Sequence, residues 1–284
     1  MCVVLLTAAC QPTARQAPRS KVAKTSPTKS PHPVRQVTTT PTGWRIVHPV
    51  GAKAVGYEVE REALNTAIDS VGIPKADEVI KYADDGDLNA QLMARGARLM
   101  AQGISQARVG EAIQLRPAFS ALAKRSVGSV RHIREAVLQT IPDNASGRDR
   151  IEALARFVQS FENTTPARYR RDSRGRTLMT AGIRHPLETV YTGQGDCDSL
   201  SVLFSALLDG LTETERIFLA GVVEGERHLM VGVELTPREG DLFIQNAGAR
   251  WVVFDLTQGS RGSALSARGK ALIRGKQFEI IDAN

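Results

Sequence analysis

Cys197 is the only cysteine beyond residue 10, and it sits in Gly193-Gln194-Gly195-Asp196-Cys197-Asp198-Ser199, where a glycine-rich turn opens into an apolar run. A thiol at the start of a helix is a candidate nucleophile, because the thiolate is the reactive form and a helix N-terminus favours negative charge. Two downstream residues have types that could activate it. His228 heads an alternating run, and Asp255 lies within Trp251-Val252-Val253-Phe254-Asp255-Leu256-Thr257. In a Cys-His-Asp set the imidazole takes the thiol proton, while the carboxylate fixes the tautomer and stabilises the cation. Such pairing is expected to lower the thiol pKa, and the chemistry it supports is acyl transfer through a thioester. The Cys197 amide would be one oxyanion donor, with Gln194 and Tyr191 as candidates for the second.

These side chains need elements to hold them. Leu200, Val202, Leu203, Phe204, Leu207, Leu208 and Leu211 are apolar around most of a helix, which predicts a buried helix starting at Cys197. Short strand-like runs follow at 217–223, 228–235, 242–245, 251–256 and 278–281. Upstream, Ile151, Leu154, Ala155, Phe157, Val158 and Phe161 mark one amphipathic helix, followed by an Arg-rich polar loop at 162–177. Helices first and strands afterwards is an α+β order, not βαβ alternation. A buried helix with Cys197 at its mouth, packed on an antiparallel sheet, would let His228 and Asp255 reach the thiol from different strands. Residues 44–142 read as helical. Val59, Ala63, Leu64, Ala67, Ile68 and Val71 recur at 3–4 spacing up to Gly72 and Pro74, stretches 88–100 and 119–141 do the same, and 104–115 is a weaker stripe. His132 has no ligand partner at i+4, so a surface or satisfied histidine is expected there.

Bulk composition limits the function classes. The chain has 284 residues, 42% apolar and 24% charged, enough for a sizeable core. No run approaches the roughly 18 apolar residues of a membrane span. Of the formal charge of +7, residues 1–42 supply +6 through Arg15, Arg19, Lys21, Lys24, Lys29 and Arg35 with no acid, which leaves +1 for the rest. The basic character belongs to a tail, so no nucleic-acid partner is expected. With Cys2 and Cys10 at the N-terminus, no disulfide can form within the folded region, and the chain is not a stapled secreted scaffold. The apolar stretch from Cys2 to Ala9 resembles the core and cleavage region of a signal peptide, and Leu6-Thr7-Ala8-Ala9-Cys10 resembles a bacterial lipobox. That resemblance implies a lipid on Cys10, a membrane contact through this anchor only, and a cell-envelope (periplasmic) location on the inner or outer membrane. Gln11, where Asp would be a retention signal, leaves the outer membrane open. No Lys or Arg precedes the stretch, which points to a start upstream of Met1. The alternative is an accidental apolar N-terminus on a cytoplasmic protein. Six prolines among Ser, Thr, Lys and Arg make residues 11–42 a disordered spacer. The expected organisation is 1–10 signal or lipobox remnant, 11–42 linker, 43–148 helical region and 149–284 chemical domain.

Pro186-Leu187-Glu188-Thr189-Val190, Gly193-x-Gly195-Asp196-Cys197-Asp198, His228 and Trp251-x-x-x-Asp255-x-Thr257 together resemble the bacterial transglutaminase-like superfamily over about residues 149–258. The resemblance implies a papain-like cysteine-protease fold with Cys197 as nucleophile, His228 as base and Asp255 as orienting carboxylate. Leu229-Met230 stands where the family often has a small residue and Trp, and Leu256 stands where Pro is common. The implied reaction is hydrolysis of peptide or protein amides. One alternative is an inactive domain that binds a peptide or cell-wall component in the same groove; another is a protein-crosslinking transglutaminase. No metal or organic cofactor is implied. Cys197, His185 and His228 lack zinc-like spacing, and Gly193-x-Gly195 lacks the third glycine of a dinucleotide loop.

Overall fold

The computed structural model describes residues 2–8, 34–75, 79–109, 112–211, 215–257 and 265–283. Cys10 and the expected spacer up to residue 33 lie outside the described residues. Strand β1 (Cys2–Ala8) is followed by an antiparallel meander of β2 (Gln36–Thr39), β3 (Gly43–Val50) and β4 (Lys53–Glu60). Residues 43–60, expected to be helical, are therefore strands, and the ordered chain begins before residue 42. The physical reason is visible in β4. Val55, Tyr57 and Val59 are buried while Gly56, Glu58 and Glu60 are exposed, a period of two that turns one face inward. Helix α1 (Arg61–Asp69) buries Leu64 and Ala67, and β5 (Ile73–Pro74), β6 (Val79–Tyr82) and α2 (Asp85–Ala101) come next. The weak stripe at 104–115 is a hairpin of β7 (Ile104–Val109) and β8 (Ala112–Pro117), a second correction to the helical expectation. β1 lies between β6, antiparallel, and β8, parallel. Helix α3 (Phe119–Leu138) does follow the helical stripe: Phe119, Leu122, Ala123, Ser126, Val130, Ile133 and Val137 form its buried face. His132, on the exposed side, bonds to the Glu58 carbonyl at 2.8 Å.

Helix α4 (Gly147–Gln159) starts at a capping box in which the Ser146 hydroxyl and Asp149 carboxylate satisfy each other's backbone amides. Then come β9 (Glu162–Asn163), β10 (Tyr169–Arg171), β11 (Thr177–Met179) and α5 (Pro186–Thr192). Pro186 opens α5, and Gly193 closes it at φ +69°, a left-handed cap that suits glycine. The next residues form β12 (Gln194–Gly195), parallel to β9, which ties the glycine-rich approach to the end of α4. Helix α6 (Cys197–Leu208) follows at once, with Asp196 as its N-cap through the Ser199 amide at 2.9 Å.

Five strands complete the chain: β13 (Arg216–Val223), β14 (Glu226–Glu234), β15 (Phe243–Asn246), β16 (Ala249–Phe254) and, after α7 (Ala267–Gly275), β17 (Phe278–Ala283). They form one antiparallel sheet in the order β15-β16-β14-β13-β17. Each falls within two residues of an expected run, and the overall class is α+β. One sheet face, through Leu229, Val231, Val252 and Phe254, packs on the helical layer of α3, α4 and α6; the other, through Met230, Trp251 and Val253, packs with Leu272 and Ile273 of α7. Every residue of α6 from Asp198 to Leu208 is buried, as the all-round apolar pattern requires. The largest cluster joins Ile46, Val59 and Ile133 to Phe204, Val231 and Phe254. A single core thus crosses residue 148, where the sequence pattern suggested a boundary.

Candidate active site

Residue 255 is the first after β16 and residue 228 the third of β14, and because these strands are neighbours their side chains meet. His228 Nε2 lies 3.1 Å from Asp255 Oδ2. An ionised carboxylate only accepts, so Nε2 carries the hydrogen and Nδ1 is left as the basic nitrogen. Asp255 is completely buried and its two oxygens are fully used. Oδ2 also accepts from the Ser266 amide at 3.2 Å; Oδ1 accepts from the Thr257 amide at 3.1 Å and the Thr257 hydroxyl at 2.7 Å. Its backbone carbonyl accepts from Gln159 Nε2 at 2.8 Å, which fixes the strand end to α4. Burial alone would raise the Asp255 pKa, but the donors from His228, Ser266 and Thr257 outweigh it and hold the carboxyl well below its usual range.

Cys197 is half-buried at the mouth of α6, where the helix reaches β14. Its thiol bonds to Asp198 Oδ1 at 3.6 Å, and the Leu229 backbone amide, next to His228, faces the sulfur. Among the described residues no hydrogen bond joins Cys197 to His228. Burial pushes the Cys197 pKa up, Asp198 and Asp196 push it further, and the Leu229 amide opposes them. The resting group is therefore a neutral thiol, which corrects the expectation of a lowered pKa. Burial is the main cause, and two neighbouring acids add to it. Burial and then the Asp198 charge raise Asp196 to about 7, against donation from Ser199. Burial also raises Asp198, opposed by Arg227, the thiol and His228.

Of the two candidate oxyanion donors, Gln194 has a side-chain partner and Tyr191 a ring contact. Gln194 Nε2 donates to Glu162 Oε2 at 2.9 Å, and the Tyr191 ring stacks 4.6 Å from Trp44 while its carbonyl accepts from Arg35. His185 is enclosed as the N-cap of α5, accepting from the Leu187 amide at 3.1 Å and bonding Ser126 Oγ at 3.1 Å. Burial drives its pKa down to about 3, so it is a neutral structural group, separate from Cys197. Among the described residues no group of three or more His, Cys, Asp or Glu side chains is placed to hold a metal ion.

Three contributors escaped the sequence analysis. Asp198 was visible only as part of a motif, and nothing in one sequence says that its carboxylate points at the thiol. Ser266 stands 11 residues after Asp255 and acts through its amide, which leaves no side-chain signal. Gln159 looks like the polar end of an amphipathic helix.

No family model matches the chain, and no curated protein matches it. Among solved structures, the chain overlaps LapG of Legionella pneumophila. The EGTA-treated form gives a TM-score of 0.33 at 14% identity, covering 58% of this chain and 81% of that one. A second LapG structure gives 0.27 at 14% identity, and the calcium-bound form 0.27 at 15%, each over 56% of this chain and 97% of the other. Overlaps this slight leave the chemistry of the site to this chain's own residues.

Proposed function

We propose that the chain is a cysteine-dependent hydrolase of peptide or protein amides, with a papain-like, transglutaminase-like arrangement around α6 and β14. The observation that supports it most is the buried His228–Asp255 pair, whose carboxylate takes four donors and leaves Nδ1 as the only basic nitrogen. As Sγ attacks the carbonyl carbon, the thiol proton passes to His228 Nδ1, and the C–S bond forms. The Cys197 amide at the helix mouth donates to the oxyanion. His228 returns the proton to the leaving amine as the C–N bond breaks, leaving a thioester that water then hydrolyses. Because the resting thiol is neutral, His228 acts as a general base at the moment of attack, without a standing ion pair.

The test is iodoacetamide alkylation of Cys197 across pH in the full chain, compared with His228→Ala and Asp255→Asn. Near pH 7 the wild type is expected to react at least about 10²-fold faster than His228→Ala. An ordinary thiol profile, unchanged by either substitution, rejects the hydrolase. That result would favour a catalytically silent peptide- or cell-wall-binding domain, a reading supported by the thiol's bond to Asp198 instead of His228. Adding a primary amine during turnover separates hydrolysis from cross-linking.

The same reading includes export and a lipid on Cys10. Cleavage ahead of Cys10 would remove β1 from between β6 and β8, so the anchored protein and the four-stranded sheet are alternatives. The mass of the N-terminal peptide and membrane fractionation of Cys10→Ser distinguish them. No described helix is long and apolar enough to cross a membrane.

A further inference from the structure

A cavity of about 460 Å³ opens beside the His228 strand, at the β13–β17 side of the sheet. Arg116 of β8, Arg227 of β14 and Lys276 after α7 line it, with Gln114, Gln277 and a single carboxylate, Glu279. Gly221, which pairs with His228 across the β13–β14 ladder, forms part of its floor. A Cβ on Gly221 would fall 2.4 Å from both the Gln277 carbonyl and the Leu272 side chain, so backbone alone fits there. The lining borders the site along the chain: Arg227, whose side chain lies over Phe119 of α3, precedes His228 on β14, and Gly221 pairs with His228 across the ladder.

Among the described lining residues three cations stand against one carboxylate in an open cleft, which gives a positive potential that attracts an anionic group. Arg227 also faces Asp198 and lies over the Phe119 ring at 5.9 Å, so part of its charge is already answered inside the fold. Arg116 Nη2 donates to Gln114 Oε1 at 3.0 Å, a neutral partner that leaves its charge uncancelled. Arg116 and Lys276 are exposed and supply the excess. A guanidinium fork matches the two coplanar oxygens of a carboxylate, and the amides of Gln114 and Gln277 add neutral donors.

We propose that this cavity is a subsite for an acidic side chain, Asp or Glu, of the peptide substrate, held by Arg116, Arg227 and Lys276. It rests on the hydrolase reading for its place in turnover, although binding there can be measured without turnover.

The test uses two pools of internally quenched fluorogenic peptides, identical except that every Glu of one is Gln in the other. The full-length wild type is expected to cleave the Glu pool with a kcat/KM about tenfold higher, the size of one charge-assisted hydrogen bond. In Arg116→Glu/Lys276→Glu the ratio falls to about one or inverts, while Arg131→Glu, on the exposed side of α3, keeps the wild-type ratio. Equal cleavage of both pools by the wild type overturns the subsite and leaves the hydrolase standing. If neither pool is cleaved, the hydrolase reading fails, and titration of both pools into the Cys197→Ala chain decides the subsite. Preferential binding of the Glu pool, lost in Arg116→Glu/Lys276→Glu, upholds it; equal binding overturns it.

Discussion

The two sides of the site treat buried carboxylates in opposite ways. On the sheet side, Asp255 is wrapped by donors from His228, Ser266 and Thr257 and stays ionised. On the helix side, Asp196 and Asp198 lie within one turn of each other around the thiol; burial pushes both toward the neutral form, and the Asp198 charge pushes Asp196 further. The same residue type therefore does two jobs. A satisfied carboxylate is rigid and orients a base; a crowded one makes the helix mouth sensitive to pH and to the charge of whatever enters it.

Removing the satisfied side should have the largest effect. Asp255→Asn is expected to reduce peptide cleavage about 10⁴-fold by misorienting the imidazole, and to lower stability by about 3 kcal/mol because buried donors lose their acceptor. Cleavage rates and urea midpoints measure the two effects separately. Asp198→Asn should act in the other direction on the thiol. With the adjacent negative charge gone, the alkylation profile of Cys197 shifts to lower pH and the rate at pH 7 rises severalfold. An unmoved profile would mean that Asp198 does not control the thiol.

Acid and base stability sharpen the contrast. The Asp255 pKa is depressed by folding, so its contribution is present above the ordinary carboxylate value of about 4 and is lost as pH falls below it. The Asp196 pKa is raised by folding to about 7, so the native state holds an extra proton below that value and loses stability as pH climbs from about 4 to 7. Asp196→Asn keeps the helix cap and should stabilise the chain at pH 8 by on the order of 1 kcal/mol while changing little at pH 4. Urea midpoints at the two pH values check this. Thr257→Val is the mildest probe: losing one hydroxyl donor to Asp255 should cost about 1 kcal/mol and only a few-fold in cleavage.

How much of this was legible depended on whether local pattern and tertiary role agreed. The strands of the C-terminal sheet were legible because each is a short apolar run between turn residues. The start of α6 was legible because Asp196 caps it and the following residues are apolar all round. His228 and Asp255 stood out by type, and the sheet joins them. Residues 43–60 misled because Val59 belongs to β4 yet also fits the 3–4 spacing that continues into α1, so the helical pattern ran backwards across a boundary. The hairpin at 104–117 has no glycine–asparagine turn to announce it. Gln194 and Tyr191 were chosen by proximity in sequence, which does not show that Gln194 donates to Glu162 and that the Tyr191 ring packs on Trp44, both distant in the chain. The carboxylate facing the thiol is a matter of rotamer and packing, which residue order does not encode.

The shared core also bears on how this protein can change over evolutionary time. The exposed turn at 142–144 is where a recombination crossover would do least local harm. Yet exchanging either half there would strand Ile133 and Val137 on one side and Phe157 and Phe204 on the other without the neighbours that exclude water from them. The two halves therefore share one core, and a transplant of the thiol-bearing half alone into another polypeptide would carry Cys197 without the packing that holds its helix.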